Sequence, residues 1–203
     1  MFYEKAYLCA KHTTMARNIL IDEEKAINSA LYILRALGGT TDYHKLFKIL
    51  YFADQKHLVR YGTPFSGDIY VAMKHGPVPT YTYDIIKWVR DMPTGVGRKY
   101  EMFFSTTASA DNIPTVSALS APDTDVLSSS NIECLEESIH ENRNLDFGTL
   151  TRKSHGSAWE AAKEQTDEME FVNIASDGGA DPEMLEYIEL NLENKNILTN
   201  AIF

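Results

Sequence analysis

Residues 43–79 read YHKLFKILYFADQKHLVRYGTPFSGDIYVAMKHGPVP, and this stretch decides the fold of the chain. An aromatic-rich run with helical spacing comes first, at positions 43–61. The turn GTPFSGD follows, and residues 68–74 then alternate between two faces as a strand does. The segment HGPVP predicts a second turn, because its prolines fix the backbone and lack a donor, while Gly76 permits a bend. We therefore expect helix, turn, strand and turn in direct succession.

The first helix of this stretch is predicted to lie at the centre of the protein. Tyr43, Leu46 and Leu50 share one side of it, whereas Phe52 and Val59 lie nearly opposite. A helix with apolar residues on two sides is normally covered on both.

The segments around this stretch predict a mainly helical chain. Acidic residues at 22–24 favour a helix start, since negative charge stabilises the positive end of a helix, and Gly38-Gly39 ends that helix. Asp181-Pro182 is another favourable helix start. Further helices are predicted at about 81–89, 125–141, 146–153 and 157–164, strands at 100–105 and 113–119, and a loop at 167–181.

These elements predict an α+β fold, a mainly helical single domain with one small, three-stranded antiparallel sheet. The strands of that sheet are expected at 68–74, 100–105 and 113–119. Residues 1–20 show weak periodicity and are predicted to form an N-terminal arm or a loose helix. Residues 21–203 are predicted to form the domain, which ends in a C-terminal helix.

Composition narrows the class of partner and the compartment. The formal net charge is -10, from 19 basic and 29 acidic side chains, so binding to nucleic acid is disfavoured and a positively charged protein partner fits better. Cys9 and Cys134 are too few and too far apart for a disulfide framework. No secretory signal and no apolar run of about 20 residues is present, so we expect a cytoplasmic protein that does not enter a membrane.

Asp54 and His57 are polar residues within an apolar stripe. Their spacing of three lets the carboxylate and the imidazole meet on one helix face. They are interpreted either as an acid/base pair or two metal ligands, or as a satisfied buried polar cluster, and we favour the cluster. His155 and Trp159 lie four residues apart and are likewise predicted to make a structural contact.

The end of the predicted strand offers candidate contact residues. Loops at strand ends often carry function, and Tyr70, Lys74, His75 and Pro77 all lie next to the second turn. We predict that they contact a protein partner. The alternative is that His75 only caps or packs where the chain turns.

Common catalytic motifs are absent from the sequence. There is no HExxH, no pair of CxxC motifs, no GxGxxG, no Walker loop and no GxSxG elbow. The missing motifs disfavour a hydrolase, a kinase or a dinucleotide enzyme of a common type, which agrees with our expectation of a protein that is not an enzyme and holds no metal or cofactor.

The quoted stretch resembles the Panacea domain of the SocA-like and phage-associated GepA-like antitoxins. The resemblance rests on the run YFAD…HL at 51–58, the Tyr61-Gly62 turn, and the pattern from Tyr70 to Gly76-Pro77-Val78. Ser154-His155 with Trp159 is similar to a second landmark of the family, and the likeness spans roughly residues 25–165. It implies an antitoxin that binds and neutralises a protein toxin, without enzymatic activity.

Three hypotheses follow for the function. The first is an antitoxin whose acidic surface covers a basic active face of its cognate toxin. The second, implied by some SocA-like proteins, is a proteolytic adaptor that delivers a toxin to a cellular protease. The third is a metal-dependent enzyme that uses Asp54, His57 and either His75 or His155.

Overall fold

The computed structural model describes residues 21–92, 94–108 and 113–201, with side chains at all of these positions except 108 and 195–201. The predicted N-terminal arm, residues 1–20, lies outside the described residues. Among the helices that are described, none is both long enough and apolar enough to cross a membrane.

Helices form most of the described chain, as the sequence predicts. Asp22 and Asp42 cap the first two by accepting hydrogen bonds from Lys25 N and Lys45 N, so local chemistry sets where they begin. The helices are α1 (Glu23–Ala36), α2 (Tyr43–Tyr61), α3 (Thr80–Asp91), α4 (Ser129–Asn142), α5 (Phe147–Lys153), α6 (Ser157–Glu164), α7 (Phe171–Asp177) and α8 (Pro182–Ala201). Short 3-10 turns lie at Val96–Lys99 and Thr124–Val126.

The strands form two small antiparallel sheets, so the α+β class is confirmed. The first sheet has the order β1-β5-β4, and the second has the order β3-β2-β6. The strands are β1 (Thr40–Asp42), β2 (Tyr70–Met73), β3 (Gly76–Pro79), β4 (Phe104–Ala108), β5 (Pro114–Ala118) and β6 (Glu168–Met169).

Two details of the predicted sheet are wrong. The strand near 68–74 does not join the strands near 100–105 and 113–119, because it pairs with Gly76–Pro79 in a hairpin whose tip is Lys74-His75. The segment HGPVP is therefore a strand and not only a turn. Its prolines are tolerated because β3 is at the edge of the sheet, where a missing N–H need not break a ladder.

The segment 167–181 contains regular structure, although the sequence predicts a loop. Its first part is β6, which pairs with Tyr70 and Val71, and its second part is α7. A two-residue strand and a seven-residue helix are too short to show a hydrophobic period. Burial of Ile174 and Ala175 against distant elements supplies the stability that local propensity does not.

The core has α2 at its centre, as predicted. This helix contacts α1, α4, α5, α7 and β3. Leu46 and Leu50 belong to a cluster with α1, α3 and α4. Tyr51, Phe52 and Leu58 belong to a second cluster with β2, α6, α7 and α8. The helix is therefore covered on both apolar sides, and its polar residues meet neighbouring elements directly.

Candidate functional site

Asp54 is a buried carboxylate that holds the turn after α2 in place. It is 2% exposed, and its two oxygens accept hydrogen bonds from Phe65 N at 2.8 Å and from the Tyr70 hydroxyl at 3.1 Å. Burial raises the pKa of Asp54 to about 7, although both hydrogen bonds act in the opposite direction. The same contacts place Tyr70 in the interior, where a partner cannot reach it in this conformation.

His57 links α2 to the start of α4. Its Nδ1 lies against the Thr63 carbonyl oxygen, so that nitrogen donates, and Nε2 accepts from Asn131 Nδ2 at 3.2 Å and from Ser130 Oγ at 3.1 Å. The ring is 5% exposed, and burial lowers the pKa of His57. These contacts hold a neutral imidazole whose two nitrogens are both engaged.

Asp54 and His57 therefore use different partners and line no open cleft. Within the described part of the chain, no group of three or more His, Cys, Asp or Glu side chains is placed to hold a metal ion. A metal site built on Asp54 and His57 would therefore lack a third ligand among the described residues.

His155 and Trp159 form a separate contact at the base of the hairpin. Their rings stack with centroids 3.8 Å apart and planes 7° apart, and Trp159 Nε1 donates to the Met73 carbonyl at 3.0 Å. The two structural contacts predicted from the sequence, Asp54 with His57 and His155 with Trp159, thus lie in separate places. Burial, followed by the charge of Lys48, lowers the pKa of His155.

Lys48 is a buried residue that the sequence analysis missed. It is 1% exposed, and its Nζ donates to the Pro77 carbonyl at 2.8 Å. Burial lowers the pKa of Lys48 to about 7. The available signal was that Lys48 is the only charged residue in the apolar run 46–53. Pro77 is buried too, so it is not an accessible contact residue.

The surface at the hairpin tip brings together Lys74, which is exposed, and His75, which is half-buried. The Phe147 ring, from α5, is 51% exposed and lies between two imidazoles. His44 stacks on it at 3.9 Å between centroids, and His75 meets it edge-on at 5.3 Å. We call His44, Lys74, His75 and Phe147 the hairpin face.

Side-chain contacts hold the hairpin face in one arrangement. His44 Nε2 is hydrogen-bonded to Thr151 Oγ1 at 3.0 Å, and burial, with the charge of Lys48, lowers the pKa of His44 to about 4. The result is a contacted, half-exposed phenyl ring beside a neutral His44 imidazole and the exposed Lys74. Phe147 could not be connected with His75 from the sequence, because 72 positions separate them.

Comparison with known proteins assigns the chain to a family. The family model for the antitoxin SocA-like, Panacea domain matches residues 46–160, which is more than half of the chain. The chain therefore belongs to the SocA-like, Panacea-domain antitoxin family, and the resemblance found in the sequence is confirmed. No curated protein and no solved structure matches the chain.

Proposed function

We propose that this chain neutralises a cognate protein toxin by binding it directly. The observation that carries the proposal is the match of residues 46–160 to an antitoxin domain. The geometry agrees with a binding role, because the hydrogen bonds of Asp54 and His57 go to the protein's own turn and helix. Neutralisation by contact needs no catalytic residue, metal or cofactor, and we propose none.

The proposed contact includes the hairpin face. Of the four contact residues predicted from the sequence, Lys74 and His75 are accessible. The structure places His44 and Phe147 beside them. An aromatic ring that is already fixed loses little conformational freedom when a partner covers it. Aromatic side chains in such positions dominate the binding energy of many interfaces.

The negative charge of the chain indicates the charge expected on the toxin surface that it binds. A net charge of -10 favours a toxin with a basic active face and disfavours nucleic acid as the partner. Association with such a toxin should slow as salt is added, because exposed charges are screened over about 10 Å at 0.1 M ionic strength.

Co-expression tests the proposal. The probe is the protein encoded by the reading frame next to the gene for this chain, expressed alone and then together with the chain. Growth arrest by that protein, rescue by the chain and co-purification of the two are expected. Arrest without rescue, or rescue without a stable complex, would contradict neutralisation by direct binding.

The half-life of the toxin in the same cells distinguishes sequestration from delivery to a protease. If the chain only covers the toxin, the half-life of the toxin stays the same or lengthens when the chain is present. A half-life that shortens, and that recovers when the protease is deleted, would instead identify a proteolytic adaptor.

A further inference from the structure

Two helices each carry four glutamates in their described parts, but only one set is used inside the protein. Every glutamate of α4 contacts a partner on another element, so its charge is already paired within the protein. The pairs are Glu133 with Arg60, Glu136 with Tyr32, Glu137 with Arg60 and Lys56, and Glu141 with Lys56 and Lys153.

The glutamates of α8 are different. All four are exposed, and none makes an ion pair or a side-chain hydrogen bond with any residue that the structure describes; they are Glu183, Glu186, Glu189 and Glu193. Their full charge is therefore presented to the solvent or to a partner.

Two large apolar side chains lie among these glutamates. Tyr187 is 52% exposed and Leu190 is 53% exposed, and their spacing of three places them on one side of the helix. The opposite side is packed, with Ile188 buried in the cluster that also holds Leu58. The apolar pair is thus additional to the side that anchors α8 to the protein.

The ring of Tyr187 is held in position by the end of α2. Gly62 ends α2 in the left-handed conformation, with φ at 66°, and the edge of the Tyr187 ring lies against its Cα. A Cβ at this position would collide with the ring, and the Met184 sulfur would lie 3.1 Å away. This contact packs one edge of the ring against the end of α2 and limits its freedom, which reduces the entropy lost on binding.

We infer that this surface of α8 is a second contact for the toxin and that it receives a basic surface with an apolar centre. We call it the outer face of α8, and it consists of Glu183, Glu186, Tyr187, Leu190 and Glu193. The inference rests on the proposed function. It names the chemistry of the partner: lysine or arginine side chains around an aliphatic or aromatic group.

Charge complementarity selects this occupant over others. A second copy of the chain would bring like charges together, and nucleic acid or an anionic lipid surface would be repelled. The outer face of α8 meets the C-terminal end of α2, whereas His44 of the hairpin face is at the N-terminal end, roughly 27 Å away along the helix axis at 1.5 Å per residue. A toxin that touches both surfaces would therefore cover the length of α2.

The test compares two variants with the same change in net charge. One carries Glu183→Gln, Glu186→Gln and Glu193→Gln on the outer face of α8. The control carries Glu101→Gln, Asp125→Asn and Glu164→Gln at exposed positions on other elements. Affinity for the purified product of the neighbouring reading frame is measured at 50, 150 and 400 mM salt.

We expect the α8 variant to bind ~10-fold more weakly at low salt and to depend less on salt, because three exposed ion pairs are lost. The control should change affinity less than about 3-fold, since its charges lie away from the contact. Equal effects of the two variants, or no effect of either, would overturn the inference. Failure of the wild-type chain to bind would instead refute the proposed function, so the two failures can be told apart.

Hydrogen exchange gives a readout that does not depend on substitutions. Amides of α8 should exchange more slowly when the wild-type chain is mixed with the toxin. Protection of α8 that instead depends on the concentration of the chain alone would identify a contact between copies and overturn the inference.

The apolar pair of α8 is tested by the variant Tyr187→Ala/Leu190→Ala. This variant should weaken binding without changing the salt dependence.

Discussion

The Nζ atom of Lys48 donates a hydrogen bond to the carbonyl oxygen of Pro77 at 2.8 Å, inside the protein. The contact joins the central helix α2 to the edge strand β3. No carboxylate among the described residues forms a salt bridge with Lys48, so burial opposes its positive charge and lowers its pKa to about 7. The hairpin that carries Lys74 and His75 is thus attached to α2 through a titratable group.

The variant Lys48→Met should change how stability depends on pH. The pKa of lysine is about 10.4 in the unfolded chain, so between pH 7 and 9 the unfolded state of the wild type binds more protons than the folded state. The free energy of unfolding of the wild type should therefore rise with pH relative to that of the variant, by up to about 1.4 kcal/mol per pH unit. Urea unfolding at pH 7, 8 and 9 measures this difference, and parallel curves would show that Lys48 stays charged.

Asp54 can be tested with two substitutions. Asp54→Ala leaves the Phe65 N–H and the Tyr70 hydroxyl without their acceptor, which should destabilise the protein by roughly 1–3 kcal/mol for each group. Asp54→Asn keeps one acceptor oxygen for the Phe65 N–H, while its NH2 group can donate to the Tyr70 hydroxyl oxygen, so it should lose less stability at pH 5 than Asp54→Ala does.

The pH dependence of the asparagine variant supplies the second readout. The folded pKa of Asp54 is raised to about 7, so the wild type should lose stability relative to Asp54→Asn as pH rises from 4 to 7. Thermal unfolding across that range measures the difference. A loss below about 1 kcal/mol for Asp54→Ala would mean that the two hydrogen bonds contribute little.

The elements that could be predicted from the sequence are those whose cause is local. Asp22 and Asp42 begin α1 and α2 because an aspartate side chain can accept from the backbone three residues ahead. Gly62 ends α2 because glycine adopts the left-handed conformation without strain. The central position of α2 followed from apolar residues on two of its sides.

Other features depend on contacts between distant residues, so the sequence alone gave no means of finding them. Gly76–Pro79 is an exception, because its partner β2 ends only three residues earlier; two prolines normally argue against a strand, and only the edge position of β3 tolerates them. Phe147 reaches His75 only after α5 packs near the hairpin. Tyr70 was predicted to contact a partner, but it is buried and its hydroxyl donates to the carboxylate of Asp54.

His57 should make stability sensitive to mild acid. Its folded pKa is lowered, so as pH falls below about 6.5 the unfolded state takes up a proton that the folded state resists, and stability falls. His57→Phe keeps an aromatic ring against Tyr61 and Phe65 but cannot be protonated. Chemical unfolding at pH 7 and pH 5 should show a smaller loss for His57→Phe than for the wild type, and an equal or larger loss would contradict the neutral imidazole described above.

The hairpin face should matter for binding and little for folding. Phe147→Ala removes a ring that is half exposed, so its stability should fall by less than about 1 kcal/mol. Affinity for the toxin should fall by roughly 1–2 kcal/mol, as truncation of an aromatic anchor typically does. The matched control is Met102→Ala, another exposed apolar side chain on a different part of the surface, which should leave affinity unchanged. Calorimetric titration of both variants with the toxin measures the two affinities. Similar affinities would show that the hairpin face is not part of the contact.

The packing beneath the hairpin can be isolated by comparing two glycines. Gly76 and Gly39 have nearly the same backbone conformation, with φ at 101° and 97°. A Cβ on Gly39 would meet open space, whereas a Cβ on Gly76 would lie 2.6 Å from the Lys48 Cε and even closer to Ser154 Oγ. Both of these side chains are buried, so neither can move aside without disturbing its neighbours.

Alanine at either position is strained in the left-handed conformation, which lowers the free energy of unfolding by about 1–2 kcal/mol. Gly76→Ala should lose about 1–3 kcal/mol more than Gly39→Ala, because only it forces atoms apart in a packed interior. Urea unfolding of the two variants measures that difference directly. The loss caused by Gly76→Ala should be smaller in a Lys48→Ala background than in the wild type, and an unchanged loss would place the obstacle at Ser154 Oγ instead.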